Sequence, residues 1–491
     1  MAAISTPAKV PAQRTRISAD LWMRLCIGAA LLFFFRLAVQ KYGHFNGETN
    51  DLTVFAYAFA HTMQGEFLPA FFTKGNLLQL HPNIILALWL PVYAVWRSFY
   101  SLLFYQSLML TVAAWPFYLL AKRVLQNEWA SLLMGIGFLL FPTIASQHVN
   151  QFHDDQFALP FVMYAFYFFV CEDFRKFMLF VVLACLAKES ITITTASFGI
   201  YALCLRRNWK WVAAPIIFSA VYFLVAIKVL TSGVAGIGAG LYTGTTYLDA
   251  YGKTPVEVFR TMLTRPAFVL QTMFSPHKLE YLTDLFMPVL YALPFLSFSI
   301  VPSLPNLFLN LFASNTAMSV IPWHYNIILG GTLLAAAVFG IKRMVDRFGG
   351  AHKVQVSLVL AGAVAAFGLF GMRWWYLPAE YQPKPYDVTL RTVMQMVPRD
   401  ATVICPTPLL VHFSDRHRIN SAYSLLVTHK DADKVKDYEY IILDGNWQAY
   451  EAIGQAQLIQ WYRQDPEFQK RYTVQFVENN VAVLRRVKEP T

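Results

Sequence analysis

Apolar residues run through this chain in long blocks, separated by short polar connections. Strict alternation, the mark of a half-buried strand, is confined to the last quarter. Leu21–Val39 is the first block near the roughly 20 residues that cross a bilayer as a helix. Further blocks at Leu102–Ala121, Ala130–Ile144, Phe157–Val170, Phe177–Ala187, Thr192–Leu205, Val212–Leu230, Tyr281–Ser297, Pro302–Ala313, His324–Ile341 and Val354–Phe370 bring the expected crossings to about eleven. Thr53–Met63 has the pattern of an amphipathic helix on the membrane surface. Asn83–Trp96 is apolar but short, and is read as a re-entrant or interfacial helix. After Phe370 the pattern changes. TVICPTPLLVHF and YEYIILDGNW predict short buried strands, Val388–Met396 and Ala449–Tyr462 predict helices, and TVQFVENNVAVLRR predicts a hairpin on an Asn-Asn turn.

The expected fold is therefore an all-α polytopic membrane domain followed by a small α/β domain. Its divisions are an N-terminal tail at 1–20, a transmembrane domain at 21–371 with large loops at 40–100 and 231–280, and the C-terminal domain at 372–491. Composition agrees. Apolar residues make up 56% and charged residues only 14%, against roughly 25% charged in an ordinary globular chain. That excludes a soluble enzyme, a disordered tail protein and a secreted disulfide scaffold. The five cysteines form no pairing framework.

The net charge of +11 is unevenly placed. From Arg373 onward 15 basic residues face 14 acidic ones, so the first 372 residues carry 25 against 15. The excess sits in short connections such as Lys122–Arg123, Arg175–Lys176, Arg206–Arg207 and Lys342–Arg343. By the positive-inside rule these lie in the cytoplasm with Lys9, Arg14 and Arg16, leaving the C-terminal domain outside. No zinc-finger spacing or long basic run points to nucleic acid. The N-terminal apolar run lacks a small-residue cleavage site and reads as a retained span. The expected location is the bacterial cytoplasmic membrane.

Ionisable residues at a membrane edge are costly and default to function. Here they fall on the external side: Glu48, Asp51 and His81 in the first loop; His153, Asp154 and Asp155 in QFHDDQF; Lys188 and Glu189 at a hairpin tip; His277 and Lys278; and His324 with Tyr325. Carboxylates beside histidines and lysines suit an anionic substrate, with a carboxylate as base and cations on a phosphate. Plainer roles stand beside these. Asp51 has the position of a cap for the Thr53 helix, HDD that of a loop capping the Phe157 helix, and Lys188 and Glu189 that of a pair neutralising each other. His and Asp together also suit a divalent ion. No cofactor is certain.

The order of segments resembles the GT-C membrane glycosyltransferases that use polyprenyl-phosphate-linked sugars. An external acidic loop (ETND) is followed by a His-Pro helix start (LQLHPNIILALWL), a span ending LLAKR, one ending FPT, an external acidic motif and a hairpin with LAKES. FHDDQFALP, IPWHYN and VPRDATVICPTPLLVHFSDRHRI with YEYIILD resemble, more narrowly, the bacterial family known as domain of unknown function 2079. LQLHPN has Asn where many GT-C enzymes have a second Pro, and FHDDQ has Asp where the narrower family usually has Pro. The resemblance implies inverting transfer of a sugar from a polyprenyl phosphate to a glycan, lipid or protein acceptor on the external face. Asp51 matches the first-loop acid that acts on the acceptor hydroxyl, and Asp154 or Asp155 matches the second-loop acid. Charge and side assign Lys188, Lys278, His81 and His324 to the lipid phosphate. A transporter, a lipid flippase or a non-catalytic relative that binds the same lipid-linked sugar are the competing expectations.

Overall fold

A computed structural model describes residues 18–71, 75–79, 81–232, 247–372, 376, 378–428, 432–446 and 451–487. Lys9, Arg14 and Arg16, and part of the 231–280 loop, lie outside the described residues. Among the described residues, five helices are long and apolar enough to cross a membrane: Ala19–Gly43, Phe99–Leu125, Trp209–Lys228, His324–Phe348 and Gly350–Met372. Glu128–Leu139 and Pro142–His148 make a sixth if taken together, bent by 48° at Pro142, which cannot donate a hydrogen bond to the turn before it. The lipid-ready character is visible in what faces outward. Leu32, Leu224 and Val359 are 70%, 68% and 69% exposed, an arrangement that only a non-aqueous surround favours.

The other expected crossings are shorter helices. Asp155–Val170, Phe174–Cys185 and Thr192–Cys204 have 16, 12 and 13 residues. Tyr281–Ser297 is not a continuous helix at all. The helix Pro276–Phe286 ends and the chain continues as short 3-10 turns at Met287–Val289, Leu293–Leu296 and Phe298–Ser303. Pro288, Pro294 and Pro302 recur too closely for an unbroken ladder of backbone hydrogen bonds. Asn83–Trp96 is likewise broken, into Ile84–Ala87 and Leu90–Val95, and the Asn83 side chain caps the first by accepting from Leu86 N–H at 2.8 Å. The described part of 231–280 holds two whole helices, Pro255–Thr264 and Pro266–Met273, and the start of Pro276–Phe286, each opened by proline at its first position.

One helical core runs through the bundle, and the helix Ile327–Phe348 lies within it. Its Gly340 touches the Leu293–Leu296 turn so closely that a Cβ there would meet the Leu293 carbonyl oxygen. Gly340→Ala is expected to lower stability by about 1–3 kcal/mol through overpacking. Thermal unfolding of the detergent-solubilised protein reads it, and an unchanged melting temperature would mean that the turn yields freely.

The C-terminal segment builds a five-stranded sheet in the order β2-β1-β3-β5-β4, from β1 (Val403–Ile404), β2 (Ile419–Asn420), β3 (Tyr440–Asp444), β4 (Tyr472–Glu478) and β5 (Val481–Arg486). β1 pairs in parallel with β2 and β3, and β5 pairs antiparallel with β3 and β4. The hairpin turns on Asn479 and Asn480, with φ 49° and 62°, the doubly positive pair that a tight two-residue hairpin requires. β1 is shorter than the TVICPTPLLVHF pattern predicts. Pro406 and Pro408 end it, and Thr407–Leu410 turns into a helix. One sheet face packs on Asp387–Met396 and on Phe45 and Phe71 of the first loop. The other packs on the helix Glu451–Gln464 and the helix Pro466–Arg471.

The expected surface helix is Asn50–Thr62, and it does not lie free on a surface. Leu52, Phe55, Ala56, Phe59 and His61 are buried. The helix is wedged between the bundle and the C-terminal segment, where Thr49 Oγ1 donates to the Thr407 carbonyl and Tyr57 Oη to the His417 carbonyl.

Candidate active site

Several chain breaks meet at one end of the bundle, and each contributes a charged or polar side chain. Asp51 lies in the first turn of Asn50–Thr62. His153 and Asp154 end an irregular stretch that leads into Asp155–Val170. Lys188 precedes the Glu189–Ile191 turn between two short helices, and His324 opens the turn before Ile327–Phe348.

Asp51 is not the cap of its helix. Thr49 holds that position without a side-chain cap bond, and the Asp51 carboxylate lies 3.1 Å from His153 Nε2. Its backbone N–H donates to Gln151 Oε1 at 2.8 Å, and Gln151 Nε2 reaches Glu48 at 3.4 Å. The His153 ring stacks on His324 with centroids 3.5 Å apart and planes 24° apart. Tyr325 lies beside His324, centroids 3.9 Å apart.

Asp154 holds the N-cap position of its helix without a side-chain cap bond, and Asp155 lies in the first turn. Lys188 Nζ bridges them, 2.8 Å from Asp154 and 2.7 Å from Asp155, with all three side chains largely buried. His81 donates to Glu189 at 3.0 Å. Lys188 and Glu189 thus find counter-charges from other parts of the chain. Burial alone would raise the Asp154 carboxyl, but Lys188 and His81 outweigh it and hold it below the usual carboxylate range. Glu189 is lowered in the same way, burial being outweighed by His81 and then Lys188. Burial opposes protonation of His81, yet Asp154 and Glu189 raise it above an ordinary imidazole.

These directions give the cluster a pH window. The His81 contribution is complete below an imidazole pKa of about 6.5 and is lost as pH rises through its higher folded value. The carboxylate contributions are present above about pH 4 and are lost as pH falls through their lower folded values. Thermal stability is expected to peak between these limits, and His81→Gln to flatten the alkaline side. Melting curves from pH 4 to 9 check this. An alkaline slope unchanged in the variant would remove His81 from the account.

A cavity of about 570 Å³ opens beside the cluster. Glu48, His153 and His324 line it with Asn150, Gln151 and Trp323. Lys41, at the end of the first long helix, and Glu380 and Lys384, from the start of the C-terminal segment, complete the wall. Lys41 and Glu380 pair at 2.8 Å. Sequence reading missed this side. Lys41 reads as an ordinary flanking charge, and nothing local ties it to residues more than 330 positions away. Asp51, Asp154, Asp155, His81, Lys188 and Glu189 stand outside the lining. Lys278 is placed differently again. Its Nζ donates to the carbonyls of Asn310, at 3.0 Å, of Leu311 and of Ala313, at 2.6 Å, where the helix Leu304–Phe312 ends, and burial lowers its pKa to about 8.

His153, Asp155 and His324 offer ligand atoms within 4.8 Å of one another. They fit a divalent ion poorly. The Lys188 ammonium already rests on the Asp155 oxygen, and an ion beside it would meet a like charge.

A family model matches residues 41–483. The chain belongs to the DUF2079 family of predicted membrane proteins. None of the curated proteins matches it. The fold of this DUF2079 protein is similar to that of ArnT from Cupriavidus metallidurans bound to undecaprenyl phosphate. The TM-score is 0.59 at 10% identity, over 95% of this chain and 98% of that one. ArnT in the apo state matches over the same shares of both chains, at 10% identity and a TM-score of 0.55. ArnT is a GT-C glycosyltransferase, and the likeness shows that this DUF2079 chain has an ArnT-like fold.

Proposed function

We propose that this chain transfers a sugar from a polyprenyl phosphate to an acceptor hydroxyl, in the cavity walled by His153, His324, Lys41 and Lys384. The observation that carries the reading is the Asp51–His153 contact at the edge of a cavity that also presents two lysines. The acceptor hydroxyl gives its proton to the Asp51–His153 pair while its oxygen bonds to the anomeric carbon. The bond from that carbon to the donor phosphate breaks on the opposite face, inverting the sugar and releasing polyprenyl phosphate. Cations near the leaving phosphate stabilise the charge it gains. Lys41 and Lys384 supply such cations in the cavity wall. Lys188 holds Asp154 and Asp155, which act as positioning residues behind His153 and His324. No step needs a divalent ion.

The likeness to a protein solved with undecaprenyl phosphate supports a polyprenyl-phosphate donor. The basic connections support a cytoplasmic N-terminus, with residues 372–491 and the reaction outside the cytoplasmic membrane. The test uses the full chain in lipid nanodiscs with a panel of radiolabelled polyprenyl-phosphate sugars and a membrane extract as acceptor. Release of free lipid phosphate with at least one donor is expected. No release from any donor would overturn the enzyme reading in favour of a lipid-binding or flipping protein.

A further inference from the structure

We propose a zinc site formed by His61, Glu66 and His417, where the first loop meets the C-terminal segment. It stands apart from the cavity and does not depend on the transferase reading. His61 lies in the last turn of Asn50–Thr62 and is completely buried. Its Nε2 faces the Arg416 carbonyl at 3.2 Å. A carbonyl only accepts, so Nε2 carries the proton and Nδ1 of the neutral ring presents a lone pair. That Nδ1 is buried with no hydrogen-bond partner, 3.9 Å from Glu66 Oε1. His417 Nδ1 approaches the same carboxylate oxygen at 3.8 Å, and the two rings stand edge to face with centroids 4.9 Å apart. All three ligand atoms lie within 4.8 Å of one another.

The His61 lone pair faces a carboxylate oxygen, and the two repel unless a cation stands between them. A direct hydrogen bond would need about 2.7–3.2 Å. Zinc bonds imidazole nitrogen at about 2.0–2.1 Å and carboxylate oxygen at about 2.0–2.2 Å, which sets tetrahedral ligands about 3.4 Å apart. Glu66 and His417 are exposed, so both side chains can move inward to close the gap that remains. The two arginines that flank His417 are engaged elsewhere. Arg416 donates to the Val397 and Pro398 carbonyls, and Arg418 pairs with Asp437 at 2.6 Å. The hydrogen bond from His61 to a backbone carbonyl is the usual outer-shell support of a metal-bound imidazole. Two histidines and a carboxylate suit zinc, with a fourth position open to water.

The loop that supplies His417 is already fixed to the helix. Gln64 Nε2 donates to the Asp415 carbonyl at 3.1 Å and Tyr57 Oη to that of His417 at 3.3 Å. Zinc would therefore bind a largely preformed site and lock the two segments together. The test equilibrates the EDTA-stripped full chain with zinc chloride and measures bound metal by mass spectrometry and melting temperature with and without zinc. Wild type is expected to bind one equivalent that His417→Ala and Glu66→Gln each weaken at least tenfold. Both are exposed positions, so their melting temperatures in EDTA should match wild type, and the zinc-induced rise should vanish. Absence of zinc uptake by wild type, or an undiminished equivalent in His417→Ala, would overturn the proposal.

Discussion

Lys188→Met is expected to leave little folded protein in the membrane fraction. The substitution keeps most of the side-chain volume and removes the ammonium between Asp154 and Asp155. Two buried carboxylates then face each other with their shared counter-ion gone. Breaking a buried ion pair from one side destabilises by about 3–5 kcal/mol, a large share of the roughly 5–15 kcal/mol that holds a typical protein folded. Fluorescence-detected size exclusion of detergent extracts would show the loss as a vanishing monodisperse peak. Adding Asp154→Asn and Asp155→Asn should restore the peak, because the uncompensated charge is gone. A Lys188→Met single variant that melts like wild type would mean that the bridge contributes nothing to the fold.

Asp51→Asn is expected to lower turnover about 10²- to 10⁴-fold, the range that a positioned general base supplies, while the protein folds normally. Asn has nearly the same shape, and the Asp51 backbone bond to Gln151 is untouched. Asp51 is also more open to solvent than the buried carboxylates, with a side chain 39% exposed. The release rate of polyprenyl phosphate reads the effect, with the melting temperature as the control for folding. Equal rates in variant and wild type would take Asp51 out of the reaction and leave His153 as the group to vary next.

The bundle was legible because bilayer thickness imposes a length on apolar runs, and Ala19–Gly43, Phe99–Leu125 and His324–Phe348 follow that length closely. The turns after Phe286 were less so, since apolarity at 281–297 conceals the spacing of prolines that breaks the helix. The Asn479–Asn480 hairpin was legible because its turn chemistry is local. β2 was not, because two residues carry no period. In the site, the acids and histidines were visible as costly residues at helix ends. Their partners were not. Lys188 and Glu189 are adjacent, and adjacency favours pairing them with each other, whereas the fold gives Lys188 to Asp154 and Asp155 and Glu189 to His81. The basic wall of the cavity draws on both ends of the chain, and no single stretch of sequence announces it.

The placement of Glu380 and Lys384 in that wall, with Phe45 and Phe71 in the core under the sheet, bears on how such proteins diverge and how they can be recombined. A tail grafted from a relative onto this bundle brings its own partners for positions 41, 45 and 71, so it fits only if the first loop travels with it. Swaps of the tail alone should therefore fail, and paired swaps of first loop and tail should succeed. The two segments make up one inheritable cassette, though more than 270 residues separate them.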